Sequence, residues 1–248
     1  MRVASFQLVT GFRLDPTIVL TCGKALQKLQ KTVGGNLLSI NVPDGAPPFL
    51  PRAALRLQDS ILGVALERFE VSAVPPAHVA EDVGAAVQFA VQRGMSVLSL
   101  LAADMPPYEW SGIIMVLQYP ELPLVSTDAR RAAEPFFDRL LTIGRKEREL
   151  SSFQARFGFR EGDFFVTYGV TAYETRHIEI PVKSNQQVII DAKEFPLKEC
   201  GLQVVVDINT KPIGVLRGPL EDQQALLAEA AKKSHHLAQE LNLEGMLK

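Results

Sequence analysis

One order of elements can be read twice along this chain, and that repetition limits the folds open to it more than any other feature. A strand-like opening, an amphipathic helix, a run of strands and a closing helix occupy residues 2–93, and a similar order returns over 111–243. Half-apolar strands and striped helices in this order bury their apolar sides by laying helices on a sheet. The expected fold is α+β, built from two tandem units, 1–103 and 111–248, packed closely about a pseudo-twofold axis. Their antiparallel sheets, joined as one or abutting as two, would be covered by helices on one face.

In the first unit, Val3–Val9 alternates as a strand does. Asp15 then offers an N-cap and Pro16 a first helical residue, where its missing N–H costs nothing. Ile18, Cys22, Ala25, Leu26, Leu29 and Val33 share one helical face, and Gly34 supplies a left-handed stop. Leu37–Val42 reads as a strand and the proline-rich Pro43–Pro51 as a loop. Ala54–Gln58 and Ile61–Val74 form a predicted hairpin turning at Asp59-Ser60, with a break near Glu67-Arg68. After Pro75-Pro76 a helix carries Val79, Val83, Ala86, Val87, Ala90 and Val91 on one stripe and stops at Gly94.

Met95–Leu101 fits a further strand or a continued helix, and periodicity does not decide between them. Asp104–Trp110 reads as a loop holding the single tryptophan, followed by a strand over Ile113–Tyr119. Thr127 or Ser126 caps a predicted helix through Ile143, kinked or begun by Pro135. Phe153, Ala155, Phe157 and Phe159 alternate with Gln154, Arg156, Gly158 and Arg160, so a strand is predicted with its phenylalanines inward. A turn at Glu161-Gly162-Asp163 leads into strands within Phe164–Pro181, Val188–Ile190 and Leu202–Ile208. A long helix from Gly218-Pro219 to Gly245 closes the chain.

Composition narrows the partners. The net charge of −2 gives no electrostatic footprint for nucleic acid or an anionic membrane, so neither partner is expected. No apolar run reaches membrane length, and Met1–Gln7 lacks the apolar core of a signal peptide. Cys22 and Cys200 make neither a disulfide framework nor a zinc spacing, which fits a reducing cytoplasm. No cofactor or metal is expected, and no phosphate-loop order of glycines is present.

Chemistry-bearing residues are sparse. His235 and His236 are neighbours on a helix, about 100° apart, and cannot face one ion together. His177 and Glu179 share a strand face at spacing two. With Asp191 and Asp207 they would make a metal-dependent hydrolase or nuclease site if the strands brought them together. Arg156, Arg160, Arg176, Lys183 and Lys193 are candidates for a phosphate-binding face, although Glu161, Glu174 and Glu179 interrupt its field. The favoured binding residues are Phe49, Leu50, Tyr108 and Trp110, large side chains beside rigid prolines, which carry binding energy at low entropic cost. They point to a non-enzymatic interaction module, an adaptor or regulatory subunit that binds another protein or a second copy of itself, with the hydrolase as the alternative.

The order strand, helix, four strands, helix over 111–243 is similar to the repeat unit of TATA-binding-protein-like folds, where two such units form a saddle. The hairpin Pro51–Phe69, the strand Gly201–Asn209 and the last helix resemble a sporadically distributed family of uncharacterised prokaryotic proteins of about this length. That resemblance implies no catalytic residues. Families so distributed often sit in mobile or defence-related loci, so it implies an accessory role in antiviral defence. The chain departs from the resemblance at Val71-Ser-Ala-Val-Pro-Pro76, where an aromatic-rich segment is expected.

Overall fold

A computed structural model of the chain describes residues 1–43, 45–101, 106–140, 154–162, 164–177, 195–210 and 229. The first elements are β1 (Arg2–Phe12), α1 (Ile18–Val33), β2 (Asn36–Ser39), β3 (Ala53–Arg56), β4 (Ser60–Val64) and β5 (Arg68–Ala73). They are followed by α2 (Ala77–Ala80), α3 (Val83–Leu101), β6 (Tyr108–Pro120), α4 (Ala129–Leu140), β7 (Gln154–Glu161), β8 (Phe164–Arg176) and β9 (Leu197–Asn209). Among the described residues, the strands form one nine-stranded antiparallel sheet in the order β2-β3-β4-β5-β1-β6-β9-β8-β7. The fold is therefore mixed α+β, with β1 and β6 side by side near the middle of a single sheet.

Period-two alternation divides the sheet into two faces. Phe6 and Leu8 of β1 align with Met115 and Ile113 of β6 and with Val206 and Ile208 of β9, all buried, and Phe12 is buried in the same cluster. A register shift between Val3 and Ser5 keeps Val3 on this face as well, opposite Leu117. The helices pack here. Phe89 of α3 meets Phe6 edge-on with ring centroids 6.0 Å apart. On α1, Ile18, Cys22, Ala25, Leu26 and Leu29 are buried in the same cluster, while Leu20 on its far side is 79% exposed. At α4, Ala129 and Ala132 pack with Cys200 of β9 and Ala172 of β8. Among the described residues, no helix is long and apolar enough to cross a membrane.

Several elements differ from the sequence expectation for identifiable reasons. Asp15 does not cap α1; Thr17 holds that position. The Asp15 carboxylate instead accepts from Thr17 N–H at 2.8 Å and Thr17 Oγ1 at 2.7 Å, closing a local turn one step earlier. The helix expected after Pro76 is two helices, because Asp82 interrupts it and accepts from Ala85 N–H at 3.1 Å. Gly94 is no stop. It lies inside α3, where a Cβ would collide with Leu8, so its role is close helix–sheet approach, and Met95–Leu101 continues the helix. Asp128, rather than Thr127 or Ser126, receives the first N–H groups of α4, from Arg130 at 3.0 Å and Arg131 at 3.1 Å.

Two further differences bear on function. Tyr108 and Trp110 belong to β6, not to a loop. Phe157 and Phe159 align with Tyr168 and Val166 on the helix-bearing face, yet they are 40% and 49% exposed. Their strand β7 stands last in the sheet order, while α4 packs over β8 and β9. The closing helix with His235 and His236, the strand expected at Val188–Ile190, and Glu179, Lys183, Asp191 and Lys193 lie outside the described residues.

Candidate partner-binding face

The sheet face opposite the helices is read from register. One row runs from Arg68 of β5 to Gly11 of β1 and Trp110 of β6. The next links Gly63, Glu70, Val9, Gly112, Asn209, Phe165 and Arg160. Glycines at 11, 63, 112, 158 and 169 all fall on this face, which lowers its relief and gives neighbouring side chains room to lie flat.

Trp110 uses that room. A Cβ built on Gly11 would collide with the indole Cε2 and Nε1, and one on Gly112 would come 3.4 Å from its Cζ3. The ring is half-buried and lies over Gly11 of β1. Strands are spaced about 4.8 Å apart, so the Arg68 and Trp110 backbones stand roughly 10 Å apart with Gly11 between them. Arg68 in turn lies over the Phe49 ring, its Cζ 5.4 Å from the centroid, and pairs with Glu70 at 2.9 Å. The loop bearing Phe49 is pinned at both ends: Leu66 N–H donates to Pro48 O at 3.0 Å, and Arg52 N–H donates to Val64 O at 2.7 Å. Phe49 and Leu50 remain 42% and 38% exposed.

Phe49 and Trp110, far apart in sequence, thus occupy one end of one face with Arg68 and Gly11 between them. Leu50 sits beside Phe49, and Tyr108 pairs with Phe12 just past a register shift in β6. Sequence reasoning missed Arg68 and Gly11. A glycine inside a strand pattern signals close approach, and Gly11 was the available clue.

Among the described residues, the polar candidates Asp207, His177, Arg156, Arg160 and Arg176 are not gathered. Asp207 on β9 pairs with Thr167 and accepts from Asn209 Nδ2 at 3.1 Å. His177 follows Thr167 by ten residues, just beyond the end of β8, so it stands about 33 Å further along the sheet. Arg156 and Arg160 are exposed on β7 opposite Gly169 and Phe165. Arg176 lies near the His177 end, paired with Glu174 at 2.9 Å and donating Nη1 to Phe195 O at 2.8 Å.

Two other polar groups serve the framework. Glu121 accepts from Ser126 Oγ at 2.6 Å, Ser126 N–H at 2.8 Å and Val125 N–H at 3.2 Å. Burial opposes its charge, but these bonds outweigh it and hold the carboxyl below its ordinary range. Cys200 Sγ donates to Glu121 at 3.7 Å, and burial together with that carboxylate pushes the thiol up to about 12. Across the open face, Tyr173 donates to Glu199 at 2.8 Å, and Arg2 bridges Glu199 and Gln118. Burial, then Glu199, raises the phenol above its usual value. Comparison with known proteins gives no matching family model and no curated relative.

Proposed function

We propose that this chain is a non-enzymatic interaction module, an adaptor or regulatory subunit, whose open sheet face receives another protein or a second copy. The observation that carries this reading is the row Phe49–Arg68–Gly11–Trp110. It places an aromatic ring, a guanidinium and an indole together on a pinned loop and a central sheet, away from the helices. Tryptophan and arginine dominate interface energies where they are held in place before binding.

We also read the chain as two related units about an axis near the β1–β6 pair. Strand order supports this. β1 is followed by a helix and flanked by the last strand of its set, β5; β6 is followed by α4 and flanked by the last strand of its own set, β9.

Photo-crosslinking in native cells tests the binding reading. A photoreactive phenylalanine analogue replaces Phe49, and for comparison Leu20 on the far side of α1. A discrete adduct is expected from position 49 and not from position 20. Equal adducts from both positions, or none from position 49, would refute it.

A further inference from the structure

A groove of about 800 Å³ lies on the same open face, beyond the row through Val9 and Gly112 from Trp110. That volume lies within the range of sites that enclose small ligands or short peptide segments. Its floor is built from three neighbouring strands. Ser72 of β5 pairs with Gln7 of β1, and Gln7 pairs with Ile114 of β6; Ser5 and Val116 pair in the next row. Ile61 of β4 pairs with Ser72 and continues that row, and Val74 and Pro75 also line the groove.

Two properties of this groove select its occupant. The first is the polarity of the floor, where Ser5 and Gln7 of β1 and Ser72 of β5 lie beside the apolar Ile114 and Val116 of β6. Among the described residues, the side chains of Ser5, Gln7 and Ser72 make no hydrogen bond, although all three are half-buried. An aliphatic ligand would cover them and leave their polar atoms without partners, which disfavours binding. A peptide offers a donor and an acceptor at every residue, and a glutamine amide can meet both. The second property is charge. At the rim, Asp59 is already paired with Arg93 at 2.6 Å. Arg56 is exposed and has no carboxylate partner among the described residues. Among the described charged residues that line the groove, Arg56 is therefore the one without an ion pair, while Asp207 stands beyond Ile114 at the opposite end of the row.

We infer that the groove binds an extended peptide segment of a partner protein, with apolar side chains over Ile114 and Val116 and an acidic residue at Arg56. The segment lies with its backbone amides against Gln7, Ser5 and Ser72. This rests on the protein-binding reading above and gives that partner a chemistry.

The probes are blocked hexapeptides of alternating valine and threonine that carry glutamate, glutamine or lysine at one end. They are titrated by fluorescence polarisation against the full chain. The glutamate peptide is expected to bind, with the glutamine version weaker by about tenfold or more, the usual effect of losing one charge-assisted hydrogen bond. Arg56→Glu is expected to reverse the preference toward lysine, and Ile114→Glu to abolish binding. Arg56 is exposed, so its variant keeps the fold, which circular dichroism verifies. Equal binding of the three peptides, no saturable binding, or unchanged binding by Ile114→Glu would overturn the inference. So would sodium dodecanoate binding saturably where no peptide does. Crosslinking from position 49 that persists through such a failure would leave the interaction-module reading standing, so the two fail separately.

Discussion

Gly11→Ala puts the central packing arrangement under direct strain. The added methyl group and the Trp110 indole cannot occupy the same space, so the ring must leave the β1 backbone. A fully buried tryptophan removes about 150–250 Å² from water. Trp110 is half-buried, so about 100 Å² is at stake, or roughly 2.5 kcal/mol at about 25 cal/mol per Å². The alanine returns roughly 0.5–1 kcal/mol by restricting the unfolded chain. The net expected loss is about 2 kcal/mol. Trp110 is the single tryptophan, so intrinsic fluorescence reports its environment without ambiguity. Urea denaturation followed by circular dichroism gives the stability, and the native emission maximum should move to the red. Unchanged emission with equal or greater stability, the result of an unhindered glycine-to-alanine change, would refute the placement of the indole over Gly11.

Gly201→Ala should be more damaging. Its Cβ would collide with the Tyr119 carbonyl oxygen, part of the β6 backbone that pairs with β9, so relief requires parting two central strands. A loss of roughly 2–4 kcal/mol in urea denaturation is expected, from overpacking plus about one ladder hydrogen bond. The carboxylates beside α4 predict acid sensitivity. Hydrogen bonds hold Glu121 and Asp128 below their ordinary range against the cost of burial, and Glu174 is held down chiefly by Arg176. Groups lowered in the folded state contribute stability above their unfolded values, and that contribution is lost as pH falls through the carboxylate range toward the lowered values. Calorimetric Tm should therefore drop below about pH 5, less steeply in Glu121→Gln; identical slopes would contradict the role given to Glu121.

Where the sequence was legible, the signal came from local geometry acting alone. The apolar stripe Ile18, Cys22, Ala25, Leu26 and Leu29 marked both α1 and its buried side, because a 3.6-residue period leaves one solution, but Val33, read on the same face, ends the helix 47% exposed. The first hairpin was legible from strand patterning and turn residues, and the break read near Glu67-Arg68 falls between β4 and β5. Boundaries failed where two local devices competed. Asp15 could cap a helix or close a turn, and the Thr17 hydroxyl drew it into the turn. Gly94 could end a helix or admit a neighbour, and only the position of Leu8 decided which. The candidate face was half legible. Phe49 and Trp110 stood out as large side chains near prolines. Nothing local revealed that one belongs to a loop and the other to a strand, or that Arg68 and Gly11 lie between them. That juxtaposition comes from pairings between β5, β1 and β6, which span most of the first half of the chain.

Removing the indole tests the central claim most directly. The affinity of Trp110→Ala for the partner crosslinked from position 49, or for a second copy by sedimentation equilibrium, is compared with that of the parent. Both values are normalised to the folded fraction. The row Phe49–Arg68–Gly11–Trp110 predicts a loss of about 2 kcal/mol or more, roughly 30-fold in Kd, in a variant that still melts cooperatively. A lower Tm with unchanged affinity per folded molecule would make Trp110 a piece of the framework and contradict the assignment of this face to binding.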